Sequence, residues 1–254
     1  MKTLIIIIIF NMHCFVLNAQ YNAVILSGEV RYDLKINQYE RAKKIIGDEV
    51  SDATFSEYLQ SLVKDKFVTR EYLLHFNDSF CSFEQVQRND PINNLDFVKD
   101  MPTQVVLKDL KRDSIYIEKN VAGEVVGIKD KQTPIIWKFT NERMDILGYE
   151  CRRANGLLFD SVYVVAFYCP DIPISTGPSV FGGLPGLILG VSLPQDNINI
   201  FATKLEPKTL TVSSLEKKGK TKSFNEYKEY MRRIFSKNAK SQRRLEFNLR
   251  TFLL

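Results

Sequence analysis

The most constraining feature of this sequence is a series of short strand-like segments separated mostly by connections of a few residues. Turn residues occur between them, including Ala122-Gly123, Asn155-Gly156 and Gln195-Asp196-Asn197. Parallel strands need a crossover of a dozen or more residues, which is usually helical. Most connections here are too short for that, so the series predicts an antiparallel meander sheet. The predicted strands are 104–109, 114–120, 124–130, 134–140, 145–153, 158–168, 187–193 and 198–206.

Two segments outside this series have the pattern of helices. Apolar residues between Phe55 and Val63 recur at the spacing of one helix face, which predicts a helix beginning near Thr54. Ser223 and Glu226 have the spacing of a capping box at the start of a late helix. We expect both helices to pack on the sheet.

The predicted fold class is mainly β with minor α (α+β). A strand at 22–36 and a hairpin at 67–76 and 80–86 precede the series, and 37–53 and 87–102 are predicted to be irregular. We expect a large, curved antiparallel meander sheet, with a half-barrel as one form of it, covered by one or two helices. A composition of 44% hydrophobic and 11% aromatic residues excludes a disordered chain.

The first twenty residues have the three-part layout of a secretory signal peptide. Met1-Lys2 is a short basic start, residues 4–10 are continuously apolar, and Asn18-Ala19 precedes the first polar stretch. The layout predicts export, with cleavage near Ala19 and a periplasmic or outer-membrane-associated location.

A transmembrane anchor and a lipid attachment site both fit this segment less well. An anchor needs about 20 mostly apolar residues, whereas Asn11, His13 and Asn18 interrupt this run. Lipid attachment at Cys14 normally requires small residues before the cysteine, but Met12 and His13 stand there. We therefore favour a cleaved signal peptide at 1–19 and one β-rich domain at 20–254.

Charge is distributed unevenly over the 254 residues, whose net charge is +5. Residues 204–254 hold 14 Lys+Arg and 5 Asp+Glu, a local charge of +9, which leaves −4 for residues 1–203. This basic C-terminal helix and tail is most simply a solvated surface, with contact to an anionic envelope surface as the alternative. No nucleic-acid-binding motif accompanies it, so no nucleic-acid partner is expected.

Three cysteines remain after the predicted cleavage: Cys81, Cys151 and Cys169. An oxidising compartment permits one disulfide with one thiol left over, and the sequence does not say which two pair. The alternatives are buried thiols or a reactive nucleophile. A nucleophile needs a base, and only His75 remains for that role.

The sequence lacks the common catalytic and cofactor motifs. The one histidine left after the predicted cleavage excludes an H-E-x-x-H zinc site, and no G-x-S-x-G elbow, G-x-G-x-x-G or P-loop occurs. No catalytic residue, metal or cofactor is therefore assigned, and a non-enzymatic protein is favoured over an enzyme.

Residues 169–189 differ from the rest in their content of proline and glycine. They hold four of the nine prolines and four of the twelve glycines. Proline fixes φ and lacks a donor, while glycine permits positive φ, so this density predicts a rigid, folded-over connection. The segment is either a binding loop or a turn whose residues are required by backbone geometry; we favour the second.

The end of this segment resembles the signature of the GLPGLI family, uncharacterised exported proteins found mainly in Bacteroidetes. Residues 146–151 resemble a strand of that family, and Ile172-Pro173, Gly177-Pro178 and Phe181-Gly182-Gly183 follow in the family's order. The binding or fold-defining motif predicted on this basis comprises Phe181, Gly182, Gly183, Leu184, Pro185, Gly186, Leu187 and Ile188.

The resemblance implies no activity, cofactor or catalytic residue, because none is established for the family. We expect a cell-envelope binding or accessory protein that holds an apolar ligand or a client protein in its curved sheet, or joins an outer-membrane protein complex. The alternative is an envelope hydrolase that uses His75 with Cys169 or a carboxylate. An apolar cavity would favour the ligand carrier, and an exposed apolar patch would favour the accessory protein.

Overall fold

A computed structural model describes residues 24–46, 53–86, 104–121, 124–159, 161–210 and 220–238. Its strands form one open, largely antiparallel sheet in the order β12-β6-β5-β4-β3-β2-β1-β11-β10-β9-β8-β7. The strands are β1 Gly28–Asn37, β2 Phe67–Phe76, β3 Phe80–Gln85, β4 Gln104–Asp109, β5 Ser114–Val121, β6 Glu124–Lys131, β7 Ile136–Ile146, β8 Tyr149–Leu158, β9 Val162–Cys169, β10 Leu187–Leu193, β11 Ile198–Pro207 and β12 Thr221–Lys222.

The sheet consists of two meanders that meet at β1 and β11. Strands β1 to β6 lie side by side in chain order, as do β7 to β11, and β1 pairs antiparallel with β11. Only β12, on β6, pairs in parallel among the described strands. The predicted antiparallel meander and the mainly β fold class are confirmed.

Side chains alternate between the two faces of the sheet. The face whose side chains form the centre of the core is here called the inner face. One row of register partners crosses six strands and is buried throughout. Such alternation is what a half-buried antiparallel strand requires, because successive side chains point to opposite faces. The row consists of Val30, Leu74, Phe83, Val106, Ile117 and Ile128.

Three helices accompany the sheet in the described residues: α1 Gln38–Ile46, α2 Ala53–Lys64 and α3 Phe224–Asn238. Helix α3 buries Tyr227 and Met231 in the main core, whereas α1 and α2 form a separate small cluster around Ala42 and Leu62. Of the three, α3 is the helix that covers the main core, which agrees with the expected one or two covering helices. None of the described helices has the length and apolar character needed to span a bilayer.

The capping box predicted at the start of α3 is present. The Ser223 backbone N–H donates to the Glu226 carboxylate at 2.7 Å, and the Glu226 N–H donates to Ser223 Oγ at 3.3 Å. These bonds satisfy backbone donors that the first turn of a helix leaves unpaired.

Helix α1 lies where an irregular segment was predicted. Its buried side is largely polar, since Gln38 and Arg41 are buried beside Ala42. The Arg41 guanidinium donates to the Asp196 backbone carbonyl at 3.2 Å, which ties the helix to the turn between β10 and β11. A helix held by polar contacts lacks the apolar periodicity that sequence patterns detect.

The β7–β8 hairpin was also divided wrongly. Its turn is Leu147-Gly148, where both residues have positive φ, and it lies inside the predicted strand 145–153. The turn predicted at Asn155-Gly156, before the strand 158–168, lies inside β8. Two positive φ angles are the requirement of the tightest hairpin turns. Gly156 is explained by packing instead, because a Cβ there would lie 2.8 Å from the Trp137 ring.

Several predictions concern residues outside the described ranges and stay untested. They are the signal peptide at 1–19 with Cys14, the irregular segment 87–102, the turn Ala122-Gly123 and the tail beyond 238.

Candidate functional site

The connection from β9 to β10, residues 170–186 and here called the Gly/Pro loop, folds back over the inner face. Its apolar side chains join the core of the sheet, so the loop occupies the space that the face encloses. The buried residues are Ile172, Ile174, Val180, Phe181 and Leu184.

Backbone contacts hold the loop in a compact hairpin-like form. Thr176 and Gly182 form an isolated antiparallel bridge, and the Ile188 N–H donates to the Thr176 carbonyl at 2.9 Å. Gly186 has a φ of +154°, and a Cβ there would overlap the Cys169 carbonyl oxygen. Glycine is therefore required at 186 by both conformation and space.

A buried lysine on β4 secures the tip of the loop. Lys108 Nζ donates to the carbonyls of Gly177 at 2.9 Å and Phe181 at 2.7 Å, and lies 3.5 Å from Thr176 Oγ1. The residue is only 1% exposed. Burial lowers the pKa of the Lys108 amine from 10.5 to about 8.

Two aromatic side chains hold the ends of the predicted motif. The Trp137 indole N–H donates to the Gly182 carbonyl at 3.0 Å, and the Tyr32 hydroxyl donates to the Ile188 carbonyl at 2.7 Å. Lys108 and Trp137 thus bind the loop to β4 and β7, and Tyr32 binds the start of β10, directly after the loop, to β1. None of these three anchors was predicted from the sequence; the one available signal was a lysine at an inward-facing position of β4.

The eight residues of the predicted motif lie together at the end of the loop and the start of β10. All are buried except Gly183 and Pro185, which are exposed. Gly183 also has a positive φ of 79°. In the described structure the apolar side chains of the motif contribute to the core, and its carbonyls accept bonds from the three anchoring residues.

A second lysine is buried on the same sheet. Lys119 on β5 is 1% exposed, and its Nζ lies 6.0 Å from the centre of the Tyr227 ring of α3. Burial lowers the pKa of the Lys119 amine to about 7. Two amines with lowered pKa values thus lie within the core, one under the loop and one under the helix.

The three cysteines that remain after the predicted cleavage, Cys81, Cys151 and Cys169, are free thiols and are buried. Cys81 Sγ lies 3.3 Å from Thr176 Oγ1 beneath the loop. Arg152 faces Tyr168 in the register of β8 with β9, and continuing that register places Cys151 opposite Cys169.

The remaining histidine lies in a charged cluster on β1, β2 and β11. His75 Nε2 is 3.2 Å from Glu29 Oε2, and Lys208 Nζ lies at the same distance from that oxygen. Burial alone raises the pKa of the Glu29 carboxyl, but hydrogen bonds from Lys208 and His75 outweigh it and leave this pKa below 4.5.

The hydrolase alternative pairs His75 with Cys169 or with a carboxylate, and the structure brings together only the second pair. Cys169 is fully buried on β9, four strand positions from His75 on β2, so the structure does not bring the two together. His75 has a carboxylate partner in Glu29, and Ser82 is its register partner on β3. Within the described residues, however, no hydrogen bond joins His75 to Ser82.

The described residues also contain an open cleft of about 610 Å³. It lies between residues 24–27, the β7–β8 turn and residues 207–209, and it includes Asp171 and Lys208 among apolar side chains. Its mixed lining differs from the apolar concavity expected of a carrier. Among the same residues, no three or more His, Cys, Asp or Glu side chains are grouped so that they could hold a metal ion.

Exposed apolar side chains are grouped at the β7 edge of the sheet. Ile136 is 82% exposed and Leu157, its register partner on β8, is 51% exposed. Phe139, also on β7, is 61% exposed. Tyr163 on β9 is the register partner of Leu157, so Ile136, Leu157 and Tyr163 form a row that runs from the β7 edge toward the centre of the sheet.

Comparison with known proteins shows one short sequence match and a shared fold. Residues 157–190, which include the Gly/Pro loop, match a family described as "Protein of unknown function (Porph_ging)". The resemblance predicted from the motif is supported to that extent, while the GLPGLI name rests on the motif residues alone. A search of curated proteins gives no match.

Two solved structures of PNGF-II are similar in fold. The structure in space group C2 has a TM-score of 0.50 and covers 78% of this chain and 30% of that one. The structure in P21 has a TM-score of 0.51 and covers 80% and 32%. Sequence identity is 17% in both, so the likeness concerns the fold alone. This chain spans about a third of the length of PNGF-II.

We expect Gly186→Ala to lower the free energy of unfolding by more than about 3 kcal/mol, because the new methyl group overlaps the Cys169 carbonyl. Gly148→Ala is the matched control: its φ is also positive, at +82°, but a Cβ there meets nothing within 4 Å. That change should cost only about 1 kcal/mol. Urea denaturation measures both, and equal losses would contradict the packing argument.

We expect the stabilising effect of Lys108 to grow with pH. The folded chain releases this proton near pH 8 and the unfolded chain near 10.5, so the unfolded state binds more protons in between. The free energy of unfolding therefore rises through this window, by at most about 1.4 kcal/mol per pH unit.

The measurement is urea denaturation of the wild type and Lys108→Met from pH 7 to 10. At pH 10 the variant should be less stable by about 2–4 kcal/mol, because two buried carbonyls lose their donor. At pH 7 the difference should shrink by about 2–3 kcal/mol, since the wild type then buries a charge. Lys129→Met, on an exposed side chain, controls for the loss of one charge. A difference that is constant with pH would show that the Lys108 amine is not desolvated.

Proposed function

We propose that this chain is an exported, non-enzymatic accessory protein of the cell envelope that binds a partner protein along the edge of β7. The observation that carries the proposal is the exposed pair Ile136 and Leu157 at the open end of the sheet. Contiguous exposed apolar side chains are uncommon on isolated soluble proteins and are typical of interaction sites.

The backbone of β7 supports the same proposal. It has 11 residues and is the terminal strand of the described sheet, so one row of its N–H and C=O groups faces away from β8. A partner segment in extended conformation can add to such an edge as a further strand. Apolar side chains on that segment would pack beside Ile136 and continue the apolar row that Ile136 forms with its cross-strand partner Leu157.

The inner face supports a protein partner over an apolar ligand. The Gly/Pro loop places Ile172, Phe181 and Leu184 over this face with at most 1% exposure. A ligand held in the curved sheet would have to displace the loop, together with the hydrogen bonds from Lys108 and Trp137. Binding at the edge requires no such rearrangement.

Export is the second part of the proposal and rests on the sequence of residues 1–19. Their basic start, apolar run and small residue at Ala19 favour cleavage there and a periplasmic or outer-membrane-associated location. The local charge of +9 over residues 204–254 supports contact with an anionic envelope surface, adjoining a partner in an outer-membrane complex.

The partner surface is tested by photo-crosslinking in the native host. A benzophenone side chain at position 136 should give one discrete crosslinked product, because the partner strand covers Ile136. The same group at Val125 on β6 is the matched control, since that residue is 63% exposed near the other end of the sheet. Leu157→Glu should abolish the product at 136, since it places a charge opposite Ile136, and leave the melting temperature within about 2 °C.

Three results would contradict this part of the proposal: no product at 136, equal products at both positions, or a product unaffected by Leu157→Glu. A product of twice the chain's own mass would identify edge-to-edge pairing of two copies. It would overturn the proposal that the partner is a different protein.

Export is tested by intact-mass measurement on the protein recovered from cell fractions. We expect the chain from the envelope or periplasm to lack residues 1–19, because the small residue Ala19 precedes the cut. Lys2→Glu with Ile6→Asp should retain the full-length chain in the cytoplasm, since it removes the basic start and interrupts the apolar run. A full-length wild-type chain in the cytoplasmic fraction would contradict export.

A further inference from the structure

We infer that Cys151 and Cys169 are a redox pair that forms a cross-strand disulfide between β8 and β9, with Cys169 as the attacking thiol and Cys81 left free. The two residues face each other across adjacent antiparallel strands. Opposed Cα atoms in such strands are about 4.5–5.5 Å apart, within the range of about 4.4–6.8 Å that disulfides span.

The two thiols already interact in their reduced form. The Cys151 thiol lowers the pKa of Cys169, and the backbone N–H groups of Asp171 and Ile172 act in the same direction, against burial and the Asp171 charge. The Cys169 thiol in turn raises the pKa of Cys151. Because the thiolate is the attacking form, the chemistry starts at Cys169.

The oxidant is a small disulfide such as oxidised glutathione, or a disulfide-bonded oxidoreductase. The Cys169 thiolate attacks one oxidant sulfur, an S–S bond to Cys169 forms, and the expelled thiolate takes up a proton. Cys151 then loses its proton and attacks Cys169 Sγ. The Cys151–Cys169 bond forms as the mixed disulfide breaks, so that two protein thiols are oxidised and one disulfide is reduced to two thiols.

Access to the pair is controlled by the edge of the sheet. Both sulfurs belong to fully buried residues, and only β7 lies outside β8 in the described sheet, with Met144 as the register partner of Cys151. The oxidant therefore reaches the sulfurs before β7 pairs during folding, or when β7 separates from β8.

The bond would stabilise the start of the Gly/Pro loop. Cys169 is the last residue of β9, and its carbonyl accepts the Ile172 N–H at 3.3 Å and packs against Gly186. Linking it to β8 fixes the point from which the loop leaves the sheet. The bond closes a short chain segment, so oxidation should raise the melting temperature by about 6–12 °C.

The test uses the full chain, refolded from urea in a mixture of oxidised and reduced glutathione, alkylated and digested for mass spectrometry. We expect a peptide that links Cys151 to Cys169, with Cys14 and Cys81 alkylated. Alkylated Cys151 and Cys169, or a link that includes Cys14 or Cys81, would overturn the inference. This measurement requires no host cell, so its outcome is separate from those of export and partner binding.

Three variants test the roles of the sulfurs. Cys81→Ser should keep the difference in melting temperature between the oxidised and reduced protein, whereas Cys151→Ser should abolish it. Cys151→Ser should also accumulate at least about tenfold more mixed disulfide with glutathione than Cys169→Ser at pH 7, because it retains the attacking thiol. Equal trapping in the two variants would overturn the assignment of Cys169, and the wild-type peptide map still tests the bond if a variant fails to fold.

Discussion

The structure depends on one buried amine. The Gly/Pro loop covers the inner face of the sheet without strand partners along most of its length, so its carbonyls need donors from elsewhere. Lys108 supplies two of these donor bonds, to Gly177 and Phe181. Burying this amine is unfavourable, as its lowered pKa indicates. Two unpaired carbonyls in the same place would also be unfavourable, by about 1–3 kcal/mol each.

These hydrogen bonds to the loop carbonyls hold the loop over the inner face, and this position of the loop decides whether the face can bind a ligand. The loop brings its own apolar side chains to the face, Trp137 holds the loop at Gly182, and Tyr32 holds the start of β10 that follows it. The result is a filled core where a carrier would have a chamber. The apolar surface available for recognition is then found at the open end of the sheet, which is why the proposed function is assigned to β7.

Much of the fold follows from the sequence, and the exceptions have physical causes. Strands, hairpins and α3 were predictable because alternation, turn residues and the Ser223–Glu226 spacing are local signals. Helix α1 was missed because its buried contacts are polar, through Gln38 and Arg41. The end of β8 was predicted too early because Asn-Gly is a strong turn signal in sequence, whereas here Gly156 lies inside the strand and makes room for Trp137.

The candidate site was predictable only in part for a related reason. The density of proline and glycine marks the Gly/Pro loop, and the family match at residues 157–190 includes it. The residues that anchor it come from β1, β4 and β7, far away in sequence. Lys108 is 69 residues from Gly177, and Tyr32 is 156 residues from Ile188. No local pattern connects such pairs; the sheet order does.

The β7–β8 hairpin separates the proposed partner surface from the proposed redox pair. A register shift between Phe139 and Arg143 divides β7 into two parts. The first contains Ile136, opposite Leu157, and the second contains Met144, opposite Cys151. A strand added at the Ile136 end contacts one side of this irregularity, while opening at the Met144 end exposes the thiols on the other. Because the shift interrupts the ladder between the two ends, partner binding and oxidation can proceed independently on one hairpin.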